Sequence, residues 1–209
     1  MGDVVKLFAP GDEQRISRAI TAAEQATSGE IIAVVCNRSD SYLHVPYLVA
    51  ALAALLVPWP LIYLTWAPVQ KIFLVQLVAF VALVGFIWPQ HMRMLFVPQS
   101  VKRANVHRRA VEQFLAQNLH TTATRTGVLI FVSLAERQAE ILADQAIDKA
   151  VDAGTWQTVV DQLTADLAAG RPADGFVRAV ETCGKLMAKH FPPETGDSNE
   201  LPNHLIILS

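Results

Sequence analysis

Cysteine is scarce in this chain, and the common catalytic and nucleotide-binding fingerprints are missing. Cys36 and Cys183 are the only cysteines among 209 residues, which excludes a disulfide framework or a cysteine-based zinc site. P-loop, dinucleotide-binding, EF-hand and nucleophile-elbow patterns are all absent. With 17 Lys and Arg against 19 Asp and Glu, the balance of charge also gives no general attraction to nucleic acid. We therefore expect both cysteines to be small buried side chains in a reducing compartment.

Charge is almost absent from one long stretch. Between Asp40 and Arg93 the only charged residue is Lys71, which stands between two apolar arms, Val45–Trp66 and Ile72–Trp88. Each arm approaches the length of about 20 apolar residues that a helix needs to cross a bilayer. A buried core hairpin of a soluble protein is the alternative, but soluble helices seldom lack charge on every face. The pattern predicts a two-helix transmembrane hairpin that contacts the lipid bilayer.

The hairpin divides the rest of the chain. Its turn is predicted at Ala67–Lys71, because this segment is too short for any other connection. The sequence before and after it has the mixed apolar and charged composition of one soluble domain. The predicted division is a first domain part at 1–44, the transmembrane hairpin at 45–90, a second domain part at 91–194 and a C-terminal tail at 195–209.

A basic segment follows the second arm and predicts the topology. Residues 91–109 contain no acid, whereas they hold five cations: Arg93, Lys102, Arg103, Arg108 and Arg109. The positive-inside bias places this flank in the cytoplasm, and two crossings then place both termini there. Met1–Val5 lacks an apolar run, so we expect no cleavable signal peptide. Juxtamembrane cations also gain about 1 kcal/mol each near anionic lipid. The expected location is the cell membrane, with two spans.

The periodicity before the hairpin predicts a helix followed by a buried strand. We expect the helix to begin with Asp12 as its N-cap and to end at Ser28 and Gly29, with Gly29 in the left-handed conformation common after helices. Glu30–Cys36 is a continuous apolar, β-branched run, which is typical of a strand covered on both faces.

The sequence after the hairpin predicts an alternation of helices and strands. The first elements are a helix at Lys102–Leu119, a buried strand at Gly127–Ser133 and its antiparallel partner strand at Gln138–Ala143. Two helices with apolar stripes follow at Trp156–Leu167 and Phe176–Phe191, and a short final strand is predicted at Leu205–Leu208. Together with the first helix and strand, these elements predict an α/β domain with helices on both faces of a small sheet.

Acidic residues form the only candidate chemical cluster. Those after the second strand recur at alternating or near-helical spacing: Glu136, Glu140, Asp144, Asp148 and Asp152. A hard cation such as Ca²⁺ or Mg²⁺ needs several oxygens converging from loops. The expected ligand set is Glu136, Asp144, Asp148 and Asp174, and a solvated acidic edge is the alternative. Ser133 follows a buried strand and could be a nucleophile, but the sequence gives it no partner.

Several short stretches, in their order along the chain, resemble the TPM-domain family. Ala26–Ile31 is similar to its helix-to-strand junction, Thr126–Ser133 to its central strand and Ala173–Gly175 to the Asp-Gly before its last helix. The ending, His190–Pro193 and Asn199–Pro202, is similar to that of a short-form bacterial membrane subgroup with an inserted hairpin.

The resemblance implies a Rossmann-like αβα sandwich of the TPM type, here interrupted by the transmembrane hairpin. Some members of the family bind calcium or related ions, a plant member of photosystem repair is described as an acid phosphatase, and others are auxiliary subunits of membrane complexes. Many members carry an acid shortly before the central strand, where this chain has Arg125 and Thr126. The expected function is a membrane-anchored, non-enzymatic accessory domain that assists assembly or maintenance of a membrane protein complex. The alternative is a divalent-metal-dependent acid phosphatase.

Overall fold

The computed structural model describes residues 7–122, 125–152, 154–193 and 201–208. Two predictions concern residues outside these ranges: the missing signal peptide at Met1–Val5, and the part of the family-like ending at Asn199 and Glu200. The chain forms two compact units, one made of Met1–Ser39 with Arg103–Ser209 and the other of Asp40–Lys102.

Helices and strands alternate along the described chain. The helices are α1 Asp12–Glu24, α2 His44–Leu56, α3 Pro58–Leu64, α4 Val69–Ile87, α5 Gln90–Phe96, α6 Gln99–Ala116, α7 Gln145–Ala150, α8 Thr155–Ala168 and α9 Pro172–His190, and a 3₁₀ turn covers Leu119–Thr121. The strands are β1 Ile31–Cys36, β2 Val128–Ser133, β3 Gln138–Ala143 and β4 Leu205–Leu208.

The first unit is built on a four-stranded mixed sheet in the order β3-β2-β1-β4. Strand β1 pairs in parallel with β2 and β4, whereas β2 and β3 form an antiparallel hairpin. Every residue of β1 and β2 is buried, as their continuous apolar sequences predict for strands covered on both faces. The antiparallel pairing of β3 and the strand at Leu205–Leu208 are confirmed.

Helices cover both faces of this sheet. Ile31, Ala33 and Val35 of β1 share one core with apolar residues of α1, α8 and α9. Ile32 and Val34 face the other side, where Val106, Ala110 and Phe114 of α6 pack against them. The alternation of β1 side chains between two helical layers confirms the α/β class and the mixed sheet.

Three local predictions are wrong in detail. Helix α1 is preceded by Gly11, with φ 98°, and not by Asp12, whose carboxylate accepts the N–H of Ala9 at 2.8 Å. The helix ends at Glu24, and Gly29 does not adopt a left-handed conformation. Gly29 is needed for close approach instead, because a Cβ there would lie 2.8 Å from the carbonyl oxygen of Thr126. The short helix α7 was not predicted.

The second unit contains two long apolar helices. One runs from His44 to Leu64, through α2 and α3, and the other is α4, Val69–Ile87. Both are long and apolar enough to cross a membrane by length and composition. The connection between them covers residues 65–68. It starts two residues and ends three residues earlier than the predicted turn Ala67–Lys71, because Pro68 already stands at the N-cap of α4 with ψ 149°. A buried cluster of Tyr42, Val45 and Val97 closes the other end of this unit.

One carboxyl group sits in an unfavourable place at the amino end of β1. Glu24 Oε1 accepts the backbone N–H of Ile31 at 2.9 Å. The pKa of Glu24 is raised to about 8, mainly by burial; the hydrogen bond from Ile31 lowers it and the neighbouring Glu30 contributes to the rise. The folded chain therefore holds a proton that the unfolded chain releases near pH 4.5. Its free energy of unfolding is expected to fall as the pH rises from about 4.5 to about 8.

The substitution Glu24→Gln should remove this pH dependence, because the amide accepts the same hydrogen bond without a charge. At pH 9 we expect the melting temperature of the variant to exceed that of the parent by about 2 °C or more, and near pH 4.5 we expect the two to converge. Thermal melts of the full chain across this range measure both values. Glu13→Gln, at an exposed position of the same helix, is the control, and an equal gain there would contradict the assignment.

Candidate functional site

A buried carboxylate fixes the turn between β2 and β3. Glu136, which is 4% exposed, accepts hydrogen bonds from the backbone N–H of Ser39 at 3.1 Å and from the Ser39 hydroxyl at 2.8 Å. Its second oxygen accepts the hydroxyl of Ser133. The turn also receives backbone support, since Ala135 N–H donates to the carbonyl of Asn37 at 2.9 Å. Glu136 thus joins the ends of β1 and β2 to the start of β3.

This network changes the interpretation of Ser133. The serine does have a carboxylate partner, which the sequence could not supply, but its exposed surface is 0%. Cys36 lies behind it, with its thiol 3.4 Å from the Ser133 hydroxyl, and burial raises the pKa of that thiol to about 11. Since Ser133 has no exposed surface and its hydroxyl donates to Glu136, that hydroxyl serves as a structural donor.

The other expected metal ligands lie elsewhere. Glu136 precedes the start of β3, whereas Asp144 follows its end, and the six residues of the strand separate them by about 20 Å. Asp144 caps α7 by accepting the N–H of Gln145 at 2.6 Å, and it lies 3.7 Å from Arg125. The antiparallel hairpin therefore holds the two carboxylates at opposite ends of the sheet.

Asp148 and Asp174 do not complete a site either. Asp148 is exposed on α7, and Asp174 at the start of α9 is 2.7 Å from the guanidinium of Arg15. Among the described residues, no three His, Cys, Asp or Glu side chains come together in a way that could hold a metal ion. The four carboxylates therefore do not fit the converging oxygen shell that calcium or magnesium requires.

A large cavity of the first unit is a groove along β3. Its volume is about 710 Å³, within the range of ligand and peptide sites. Its floor is the stretch Gln138–Ile141 of β3, which is the last strand on this side of the sheet. Val106 and His107 of α6 form one wall, and Trp156 and Val160 of α8 form the other. The groove is therefore a channel over a sheet edge between two helices.

Some charged side chains of the groove have partners and others do not. His107 Nδ1 lies 2.5 Å from Glu140, and Asp161 accepts the side-chain amide of Gln157 at 2.8 Å. Arg103 and Arg137 are exposed and make no ion pair with any described residue. Glu140 is paired with His107 and Asp161 is held by a neutral amide. The two guanidinium groups have no acidic partner among the described residues, so they can bind anionic groups.

The Glu136 network positions one of these cations. Arg137 is the last residue of the turn, where its N–H donates to the carbonyl of Leu134 at 3.2 Å. Its φ of 52° directs the chain from the turn into β3. Sequence reasoning missed Arg137 and the groove, because the residues that line it come from three separate segments. The edge position of β3 is the feature that could have indicated it.

Comparison with known proteins places the fold. The model of the TPM domain matches residues 90–186. No curated protein matches the chain. The structure is similar to the NMR structure of BA42 protein from the psychrophilic bacterium Bizionia argentinensis, with 21% sequence identity, 99% of each chain covered and a TM-score of 0.62. At this identity the similarity shows the fold alone. The TPM-domain resemblance noted in the sequence is confirmed for residues 90–186, which match the model of that domain.

Proposed function

We propose that this chain is a membrane-anchored accessory protein whose TPM domain binds a protein partner and assists assembly or maintenance of a membrane complex. The observation that carries the proposal is the exposure of the two apolar helices. Within their most apolar windows, only 22% of residues in His44–Leu64 and 11% in Val69–Ile87 are buried. A core helix of a soluble protein would be mostly buried, so these side chains need another apolar environment.

The amount of exposed apolar surface is large. Leu48, Leu52 and Leu55 of α2 are each more than half exposed, as are Phe73, Leu77 and Val81 of α4. Each such side chain gains about 1.5–3 kcal/mol when it is fully removed from water. A bilayer core satisfies all of them at once and requires no charged partner, since Lys71 alone carries charge between Asp40 and Arg93.

The aromatic residues of this unit support the same proposal. Trp59 and Tyr63 stack at 6.2 Å between ring centroids just before the turn, where Trp66 is fully exposed. Tyr47 and Trp88 form an edge-to-face pair, with 6.2 Å between ring centroids, at the end of the helix pair away from the turn. Aromatic rings of this kind favour the two interfaces of a membrane.

The basic flank supports a cytoplasmic orientation more than it supports lipid binding. Arg93 is 8% exposed and donates to the backbone carbonyl of Ser41 at 2.7 Å, so its charge is used inside the second unit. Arg108 and Arg109 lie 2.8 and 2.9 Å from Glu112. The exposed cations of this flank would contact anionic headgroups, with a smaller gain in free energy than five unpaired cations would give.

The absence of a catalytic arrangement among the described residues supports an accessory role. Ser133 is buried, and the four candidate carboxylates lie apart. A protein-binding role instead requires an accessible surface with unsatisfied groups, which the groove along β3 supplies. We therefore propose partner binding by the first unit and anchoring by the second.

Integral insertion is tested by extraction. The full chain should remain in membranes after salt and alkaline carbonate washes, and the double substitution Leu52→Arg and Leu77→Arg should release it, since each charge costs about 3 kcal/mol near a bilayer centre. Leu115→Arg is the matched control, because Leu115 is similarly exposed but lies in α6 of the first unit. Recovery of the unmodified chain in the carbonate supernatant would refute the anchor.

Orientation is tested with a reporter that is active only outside the cytoplasm. A fusion after Ser209 should be silent, because the cations after α4 keep this flank inside. A fusion inserted after Pro68, in the turn between the two helices, should be active and shows that the reporter works. Activity of the first fusion would reverse the proposed topology.

Calcium should stabilise this protein little, because its candidate ligands do not converge. A site loaded at a hundredfold excess over its dissociation constant would add about 2.7 kcal/mol, or a melting shift of about 5 °C or more. We expect less than about 1 °C for the full chain in detergent at millimolar calcium. A larger shift that Asp148→Asn or Asp174→Asn abolishes would favour the alternative of a metal-dependent phosphatase. Glu13→Gln serves as a charge-matched control.

A further inference from the structure

We propose that the groove along β3 binds an extended, acidic segment of a protein partner, which pairs with β3 as an additional strand. The inference rests on the proposed partner-binding function and names its surface and ligand chemistry. Strand addition at a sheet edge draws its affinity from main-chain hydrogen bonds and its specificity from side-chain contacts. The groove offers both features.

The backbone of β3 has hydrogen-bonding groups on its free side. Asp144 N–H donates to the carbonyl of Gly127 at 2.8 Å, so these two residues form a hydrogen-bonded pair. The register makes Leu142 with Leu129 and Glu140 with Phe131 the next hydrogen-bonded pairs. In an antiparallel pair, alternate residues direct their N–H and C=O groups toward the partner strand. The intervening residues Ala139, Ile141 and Ala143 therefore direct these groups away from β2, toward the open edge.

This edge carries none of the common protections. Natural sheets blunt exposed edges with proline, lysine, bulges or a covering element. Gln138–Ala143 has no proline and no lysine, it pairs with β2 without a bulge, and its single charged side chain, Glu140, is engaged by His107. An unprotected edge of this kind can accept another strand.

The walls of the groove favour a single extended chain. The α6 wall presents the imidazole of His107 above the buried Val106, and the α8 wall presents Trp156 and Val160. Side chains of an added strand would therefore meet His107 on one side and apolar contacts on the other. A second sheet with its own covering helices would have to pass these walls, whereas an extended peptide lies between them. Alternate side chains of the peptide would face the two walls in turn.

Charge complementarity specifies an acidic segment. Arg137 stands immediately before β3, and Arg103 lies one helical turn before His107 on the α6 wall. Neither makes an ion pair within the described chain, while Glu140 and Asp161 of the groove already have partners. Carboxylates on the incoming strand near the start of β3 would satisfy both guanidinium groups, which suit carboxylates in geometry and charge.

Binding is measured by fluorescence anisotropy with the full chain in detergent. The probe is a labelled synthetic peptide of alternating valine and threonine that ends in two glutamates. The comparison peptides carry two lysines in place of the glutamates, or methyl groups on alternate backbone nitrogens. We expect saturable binding of the acidic peptide, binding about tenfold weaker for the basic one, and none for the methylated one, because it cannot form the edge hydrogen bonds.

Two variants locate the contact. Arg103→Gln with Arg137→Asn should weaken binding of the acidic peptide about tenfold, equivalent to about 1.4 kcal/mol. Asn is chosen at 137 because it tolerates the left-handed backbone there. Arg18→Gln with Lys185→Gln removes two exposed charges elsewhere on the unit and should have no effect. Ala139→Pro should abolish binding by removing an outward N–H, whereas Ala139→Val keeps that donor and should retain binding.

Three results would overturn the inference. One is the absence of binding by any peptide, and another is equal binding by the arginine variant and its control. The third is a dimer of the full chain in detergent that Ala139→Pro dissociates, because a second copy would then occupy the edge. Melting curves check that each variant is folded. None of these results bears on carbonate resistance, so failure of the groove leaves the anchor standing, and failure of the anchor leaves the peptide measurement unaffected.

Discussion

The buried carboxylate of Glu136 is the interaction on which the edge of this sheet depends. A charge in this position is costly unless hydrogen bonds replace its lost water, and the N–H and hydroxyl of Ser39 and the hydroxyl of Ser133 supply them. Because those serines follow β1 and end β2, the carboxylate fixes three strands relative to one another. The turn then places Arg137 and the start of β3. Loss of either partner would leave an unsatisfied buried group, which is a larger penalty than the hydrogen bond itself.

The parts of the fold that could be predicted from sequence are those that local pattern controls. Continuous apolar runs identified β1 and β2, because strands covered on both faces need apolar side chains at every position. Helical stripes identified α8 and α9 in the same way. Boundaries were less reliable at Gly29, where the pattern suggested a helix cap. The glycine is required by the approach of Thr126, a residue almost a hundred positions away, and no local pattern contains that information.

The candidate site could not be predicted because its geometry is long-range. Glu136 and Asp144 are close in sequence and similar in chemistry, which suggested one cluster. The antiparallel pairing of β2 with β3 places them at opposite ends of the hairpin, where Glu136 binds two serines and Asp144 caps α7. The groove is the reverse case: Val106, Ala139 and Trp156 are distant in sequence, and only the fold brings them together.

The second unit starts immediately after Ser39, which belongs to the Glu136 network. The sheet, both helical layers and the Glu136 contacts are formed by residues up to Ser39 and from Arg103 onward. The first unit therefore satisfies its buried polar groups at this point without a residue of the second unit, and insertions are tolerated best where no such group depends on them. Under the proposed function, anchoring and binding are physically separate: the apolar helices would select a bilayer by surface area, whereas the β3 edge would select a partner by hydrogen-bond direction and charge. A change in one property does not require a change in the other.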